Sequence, residues 1–212
     1  TVLTYSLSGG LDAGLFNISA STGVVTFKAS PNFEAPLDNG ANNIYDITVR
    51  VSDGSLYADK AVTISVTNVN EAPAITSAAS ASTSENVSTS TAVYTVAATD
   101  ADVGSVLTYA LAGGADAASF NINALTGAVT FKASPNFEIP TDAGLNNVYD
   151  IIVQASDGSL TTTKAVAITV SNVAEANSPP VIISSSAVSA FENVSVSTAV
   201  YAVAATDIDA NP

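Results

Sequence analysis

Asp100 and Asp102 stand two positions apart, directly after an apolar–polar alternation that ends at Ala98. Asp157 closes a second alternation, Glu85 sits where an opening strand breaks, and Glu138 follows a Pro-Asn-Phe turn. Asn68, Asn70 and Glu71 fill one gap between patterned segments, and Asn172, Glu175 and Asn177 fill the next. These are oxygen-bearing side chains at strand ends and turns, where backbone carbonyls are also unpaired. A hard cation such as calcium takes about six to eight oxygen ligands, and this is the donor set it needs. Without a cation the arrangement is costly, since two carboxylates 4 Å apart repel by about 4 kcal/mol at an effective dielectric near 20. The bland reading is that Asp and Asn are here only because they favour turns. Recurrence of the same acids in register along the chain favours the cation, Ca2+.

The overall charge agrees with that chemistry. Among 212 residues there are five Lys and Arg against 19 Asp and Glu, a formal net charge of −14. Such a surface repels nucleic acid and anionic membranes, so neither is an expected partner. No run approaches the roughly 20 apolar residues of a membrane-spanning helix, so no membrane insertion is expected. Cys, His, Met and Trp are absent. That removes disulfides, thiol nucleophiles, the commonest general base and the usual zinc, copper and haem ligands. With no nucleophile–base pair to be found, the chain does not read as an enzyme. A chain that oxygen cannot readily damage suits an extracellular setting, secreted or at a cell surface.

The elements that must position these acids come from a repeat. LTYSLSGG at Leu3 returns as LTYALAGG at Leu107, an offset of 107 − 3 = 104. The same offset carries FNISASTG at Phe16 onto FNINALTG at Phe120, and YDITVRVSDGSL at Tyr45 onto YDIIVQASDGSL at Tyr149. VTFKASPNFE at Val25 returns unchanged at Val129. A second block, SENVSTSTAVYTVAATDAD from Ser84, returns as FENVSVSTAVYAVAATDID from Phe191, at an offset of 107 because the second linker is three residues longer. The expected organisation is the C-terminal part of one repeat over 1–72, a complete repeat over 73–178, and the N-terminal part of a third over 179–212. Such a chain is either an excerpt of a longer array or one whose opening strands come from another chain.

Within each repeat the periodicity is two. Tyr45, Ile47, Val49 and Val51 share a face against Asp46, Thr48 and Arg50; Tyr94, Val96 and Ala98 do the same against Thr95, Ala97 and Thr99. That alternation marks strands with one buried face. Turn residues punctuate them at Gly113-Gly114, Thr126-Gly127, Ser134-Pro135-Asn136 and Asp157-Gly158. About seven short strands in about 100 residues predict an all-β, immunoglobulin-like sandwich. A short helical turn is conceivable within 135–147. Phe16, Phe27, Phe33, Phe120, Phe131 and Phe137 are expected in the core, and Asp46 and Asp150 on the surface.

Five motifs in fixed order resemble cadherin repeats, in the form found in large bacterial adhesins. They are Glu85-Asn86 and Glu192-Asn193; Asp100-Ala101-Asp102 and Asp207-Ile208-Asp209, each after Ala-Thr; Pro31-Asn32-Phe33-Glu34 and Pro135-Asn136-Phe137-Glu138, which keep the family's Glu but have Asn for its Asp; Ser52-Asp53-Gly54 and Ser156-Asp157-Gly158; and the linker Asn68-Val69-Asn70-Glu71-Ala72-Pro73. The resemblance implies tandem Greek-key β-sandwich modules of about 104 residues with Ca2+ at the junctions. It implies one junction of Glu34, Asn68, Asn70, Glu71, Asp100, Asp102 and Asp157. It implies a second of Glu85, Glu138, Glu175, Asp207 and Asp209, with Asn172 and Asn177 as further candidates. Asp53 would serve a junction before Thr1. Linker Asp replaced by Asn or Glu leaves the number of ions per junction open.

Three functions compete: a calcium-stiffened stalk built of neighbouring repeats, for cell-surface or biofilm adhesion; a module that binds polysaccharide or pairs with like repeats on other chains; and a strand-complemented filament, since open sheet edges invite pairing. Lys28 and Lys132 have no acid marked beside them that would make isopeptide crosslinks. The sequons at Asn17, Asn86 and Asn193 read as unused in a bacterial-type adhesin.

Overall fold

A computed structural model describes residues 2–174 and 179–206. Glu175, Asn177, Asp207 and Asp209, four of the candidate ligands, lie outside the described residues. The chain forms two compact units, one of residues 1–72 with 100–105, the other of residues 73–99 with 106–212.

The first unit begins with β1 (Thr4–Gly9), β2 (Phe16–Ile18), β3 (Val25–Phe27), β4 (Ile44–Ser52) and β5 (Tyr57–Ser65). β1, β4 and β5 form an antiparallel sheet in that order, and β2 pairs with β3. The second unit opens with β6 (Ala74–Ile75), β7 (Ser80–Ser84), β8 (Tyr94–Thr95) and β9 (Ala98–Thr99). It then repeats the first unit's strands as β10 (Thr108–Gly113), β11 (Phe120–Ile122), β12 (Ala128–Phe131), β13 (Val148–Ser156) and β14 (Thr161–Ser171). Two short strands follow, β15 (Val181–Ile182) and β16 (Ala205–Thr206).

The second unit is a two-sheet sandwich. One sheet has the order β10-β13-β14-β7, with β7 parallel to β14 and the rest antiparallel; the other has the order β11-β12-β8. The stretch Tyr94–Thr99, expected as one strand, is two. β8 pairs with β12, and β9 pairs with β6. The alternation of burial still runs through it, with Tyr94 and Val96 buried and Thr95 and Ala97 exposed. Changing ladders midway lets one extended segment pair first with β12 and then with β6 without losing its buried face.

Alternation fills the core. Val129, Val153 and Ile168 are fully buried, with Phe120, Phe131 and Tyr149 around them. The rings of Phe120 and Phe131 are 4.4 Å apart, and Tyr149 meets Phe131 edge-on at 5.1 Å. Phe16, Phe27 and Tyr45 repeat this trio at 4.4 and 5.3 Å. Such edge-on contacts suit the positive rim and negative face of aromatic rings. Gly10 and Gly114 cannot be replaced freely: each has positive φ, and a Cβ would stand 2.3 and 2.4 Å from the Cα of Ile47 and Ile151.

Two expectations are corrected. Phe33 is 38% exposed and Phe137 only partly buried, because their loop runs along the surface rather than through the sandwich. No helix forms within 135–147; the helical turns are short 3-10 segments at Ala13–Leu15 and Ala117–Ser119. Asp46 and Asp150 are exposed, as expected.

Candidate calcium site

Glu34 owes its position to the turn before it. Oδ1 of Asn32 accepts from the amides of Glu34 at 2.7 Å and Ala35 at 3.0 Å, an Asx turn that ends the Pro31-Asn32 segment. Asn43 holds the loop from the other side, with its Nδ2 donating to the carbonyl of Phe33 at 2.8 Å. Asn43 is left-handed, at φ 63°, and its own amide donates to the buried Asp38 at 2.9 Å. Asp38 also accepts from the amides of Gly40 and Asn42 at 3.1 and 3.0 Å. Asp12, also buried, takes the amides of Asn39 and Asp46, each at 2.7 Å. Two carboxylates that would be expensive to bury alone are thus each met by backbone N–H groups. They fix the loop that presents Glu34.

Asp100 and Asp102 follow β9. Oδ1 of Asp100 accepts from the amide of Asp102 at 2.9 Å, which folds the pair into a tight turn. Asp102 then receives Nδ2 of Asn68 on Oδ1 at 2.5 Å and the amide of Glu71 on Oδ2 at 3.0 Å. Nδ2 of Asn70 donates to the carbonyl of Glu71 at 3.2 Å. Glu34, Glu71 and Asp102 each bring a carboxylate oxygen within 4.8 Å of the other two. Partial loss of hydration raises the carboxyl of Glu71 above its ordinary range, and the negative charges of Glu34, Asp102 and Asp100 add to the rise.

These residues fit Ca2+. Oxygens on opposite sides of an ion with ligand distances near 2.4 Å stand about 4.8 Å apart, so three oxygens within that spacing can face one ion. Oε1 of Glu34 and Oδ2 of Asp100 are shielded from solvent and have no hydrogen-bond partner, a condition that a cation relieves.

The second candidate set is built on β7. Glu85 follows that strand and is 3% exposed. Its Oε2 accepts from the amide of Phe137 at 2.9 Å and its Oε1 from the amide of Val173 at 2.8 Å. Burial pushes its carboxyl upward, but the amides of Phe137 and Val173 outweigh that and hold it below the ordinary range. Glu138 accepts Nδ2 of Asn172 on Oε1 at 2.9 Å, while its Oε2 is buried without a partner. Here too the loop is held by buried acids. Asp142 takes the amides of Asn146 and Asn147, and Asp116 those of Ala143 and Asp150.

Asp53 and Asp157 are turn residues. Oδ1 of Asp53 accepts from Ser55 and Leu56 at 2.9 and 2.8 Å, closing the β4–β5 connection, and these amides lower its carboxyl. Asp157 does the same for β13–β14 with Ser159 and Leu160, at 2.6 and 2.7 Å. The amines of Lys28 and Lys132 donate to the carbonyls of Gly14 and Ala118 at 2.6 and 2.7 Å.

The sequence reading missed Asp12, Asp38, Asp116 and Asp142. For Asp38 and Asp142 the signal was present: LDNGANN at Leu37 and TDAGLNN at Thr141 recur at the same offset of 104. An Asp followed four or five residues later by Asn-Asn is what a carboxylate capping its own loop requires.

Comparison with known proteins places this architecture. Residues 79–171 match the family described as Cadherin domain. Human Protocadherin Fat 4 is 29% identical over 221 residues, covering 99% of this chain, and human Protocadherin-23 is 30% identical over 216 residues, also covering 99%. The chain spans only 4% and 6% of their lengths. Among solved structures, human Protocadherin-24 EC1-2 superposes with a TM-score of 0.58 at 22% identity, over 82% of this chain and 83% of that one. Mouse Cadherin-23 EC22-24 superposes with a TM-score of 0.52 at 27% identity, over 81% of this chain and 53% of that one. The sandwich of residues 79–171, with its parallel β7–β14 pairing and its acids gathered at strand ends, belongs to the cadherin domain family.

Proposed function

We propose that this chain is a run of cadherin-like adhesion repeats from a large extracellular protein, stiffened by Ca2+ at its linkers. The carrying observation is the convergence of Glu34, Glu71 and Asp102 on one small region beside the solvent-shielded, unpartnered oxygens of Glu34 and Asp100. The ion would be held there by Glu34, Glu71, Asp100 and Asp102. Asn68 and Asn70 are near enough to turn a side-chain oxygen toward it, and Asp157 is assigned to the same set by the family motif alone. Bound Ca2+ would supply positive charge that joins the linker to the loop of Asp100 and Asp102. Glu85 and Glu138 would form the protein half of a second site, completed by Glu175, Asp207 and Asp209 with Asn172 and Asn177. Asp53 would serve a third.

In this reading 1–72 is the later part of one repeat, 73–178 a whole repeat, and 179–212 the opening of a third. A stalk needs length and stiffness rather than a unique site, and an unchanged VTFKASPNFE in adjacent repeats supports that role. The same near-identity of neighbours supports a parent of the bacterial adhesin kind. Pairing with like repeats on other chains is the second reading. It is favoured by similarity to protocadherin gammaB7 EC3-6, whose solved structure is a cis-dimer.

Calorimetric titration with Ca2+, with thermal melts in calcium and in chelator, tests the proposal. Uptake of several ions with a clear rise in Tm is expected. No heat at millimolar Ca2+ and an unchanged Tm would refute it.

A further inference from the structure

Asn39 is followed by Gly40, and no other Asn of the chain has glycine after it. A peptide nitrogen can attack the side-chain amide of the Asn before it, and the bulk at Cβ of the following residue is the main obstacle. Glycine has no Cβ. Asn39 and Gly40 are both exposed. The backbone amide of Asn39 donates to Oδ1 of Asp12 at 2.7 Å, while its side-chain amide has no hydrogen-bond partner among the described residues. The amide of Gly40 donates to Oδ2 of Asp38 at 3.1 Å, so a carboxylate stands against the nitrogen that must lose its proton.

The side chain of Asn39 contributes nothing to the loop. Ala143 stands 104 positions on, and its amide donates to Asp116 at 2.6 Å as that of Asn39 does to Asp12. Asp142 gathers the amides of Asn146 and Asn147 as Asp38 gathers those of Asn42 and Asn43. Ala143 is exposed as well, in the second unit's two-sheet sandwich, so exposure at this position is a property of the loop itself. Asp53 and Asp157 also precede glycine, but amides of the turn tie down their carboxylates, and an ionised carboxylate resists attack by a nitrogen nucleophile.

We propose that Asn39 is a site of spontaneous deamidation that loosens the loop presenting Glu34. The nitrogen of Gly40 bonds to Cγ of Asn39 as its proton passes to Asp38. The bond from Cγ to the side-chain nitrogen breaks, and that nitrogen takes the proton from Asp38 and leaves as ammonia. Water then opens the cyclic imide at one or other carbonyl, giving aspartate or isoaspartate. Isoaspartate lengthens the main chain by one carbon between the amides that Asp12 and Asp38 hold. Asp38 also holds the amide of Asn43 at 2.9 Å, and Asn43 holds the carbonyl of Phe33, next to Glu34, at 2.8 Å. A shift at Asn39 thus reaches Glu34 through two hydrogen bonds, and Ala143 spares the second unit's loop the same fate. The effect on calcium rests on the reading of Glu34 as a ligand; the chemistry at Asn39 does not.

The whole chain is kept in warm, mildly alkaline buffer, sampled over weeks and cut with trypsin. Peptide 29–50 should gain the mass difference between amide and acid, located at Asn39 by fragmentation. Conversion there should run at least severalfold faster than at Asn32, Asn42 or Asn43 of the same peptide, or at Asn136, Asn146 or Asn147 of peptide 133–164. Amide exchange over 31–43 should be faster in the converted chain and unchanged with age in Asn39→Ala. Calcium should bind the converted chain more weakly than the fresh one, with Asn39→Ala keeping its affinity. Conversion at Asn39 no faster than at the other asparagines, or equal exchange in fresh and converted chains, overturns the proposal. Neither readout needs calcium, so a fresh chain that takes up no Ca2+ refutes the calcium reading alone.

Discussion

The amide of Glu71 donates to Oδ2 of Asp102 at 3.0 Å, while the charge of Asp102 helps to raise the carboxyl of Glu71. Backbone attraction brings together two acids that repel. The sign for stability follows from the raised carboxyl. Without calcium, the contribution of Glu71 to stability is greatest below the unfolded value near 4.5 and is lost as pH rises through the folded value. Calcium-free melts between pH 4 and 7 should show this loss, and Glu71→Gln should flatten it. An unchanged slope in the variant would mean that Glu71 is not repelled in solution.

Glu85 titrates the other way. Its carboxyl is held low, so its stabilisation is present above the ordinary glutamate range and lost as pH falls through the folded value. Glu85→Gln replaces one acceptor oxygen with an NH2 group that faces the amide of Phe137 or Val173. Loss of about 1–3 kcal/mol is expected in urea unfolding of the variant, from one buried donor left without an acceptor.

Calcium affinity should depend on the converging carboxylates individually. Glu34→Gln and Asp102→Asn are each expected to weaken binding by about tenfold or more, which is about 1.4 kcal/mol. Asp59→Asn is the control, because Asp59 is engaged by Arg50 through two bonds of 2.7 Å. Calorimetry that finds equal affinities for all three variants would place the ion elsewhere.

The buried capping acids should matter for fold and site together. Asp142→Ala leaves the amides of Asn146 and Asn147 without their acceptor in a buried loop, with an expected loss of about 2–4 kcal/mol. Asn147 holds the carbonyl of Phe137 at 2.9 Å, next to Glu138, so the loop that presents Glu138 should loosen as well. Amide exchange over 136–147 checks this against Arg50→Ala, whose exposed ion pair should cost no more than about 1 kcal/mol.

The repeat and the alternation made most strands legible, since an in-register duplicate shows which positions share a face. They could not show that Tyr94–Thr99 changes sheets, because burial alternates without a break through the switch. Glu34, Glu71 and Asp102 came from motif order, and their convergence needed the Asx turns at Asn32 and Asp100. Asp38 and Asp142 are not legible as buried, because an Asp two positions before a Gly reads equally well as an exposed turn. Only the folded loop shows the carboxylate turned inward onto its own amides. Phe33 was misplaced for a related reason: aromatic character marks a core candidate, but this loop carries it outside the sandwich.

The parallel pairing of β7 with β14 has a mechanical consequence. Five residue pairs, Ala167–Ser80 through Ser171–Ser84, join a strand near the start of the sandwich to the strand at its end. A pull on the chain from both sides drags these parallel strands past each other along their length. The rungs then share the load and must fail together, rather than opening one after another like a zip. The domain is wired as a tension member, and its tensile strength lies in that single ladder.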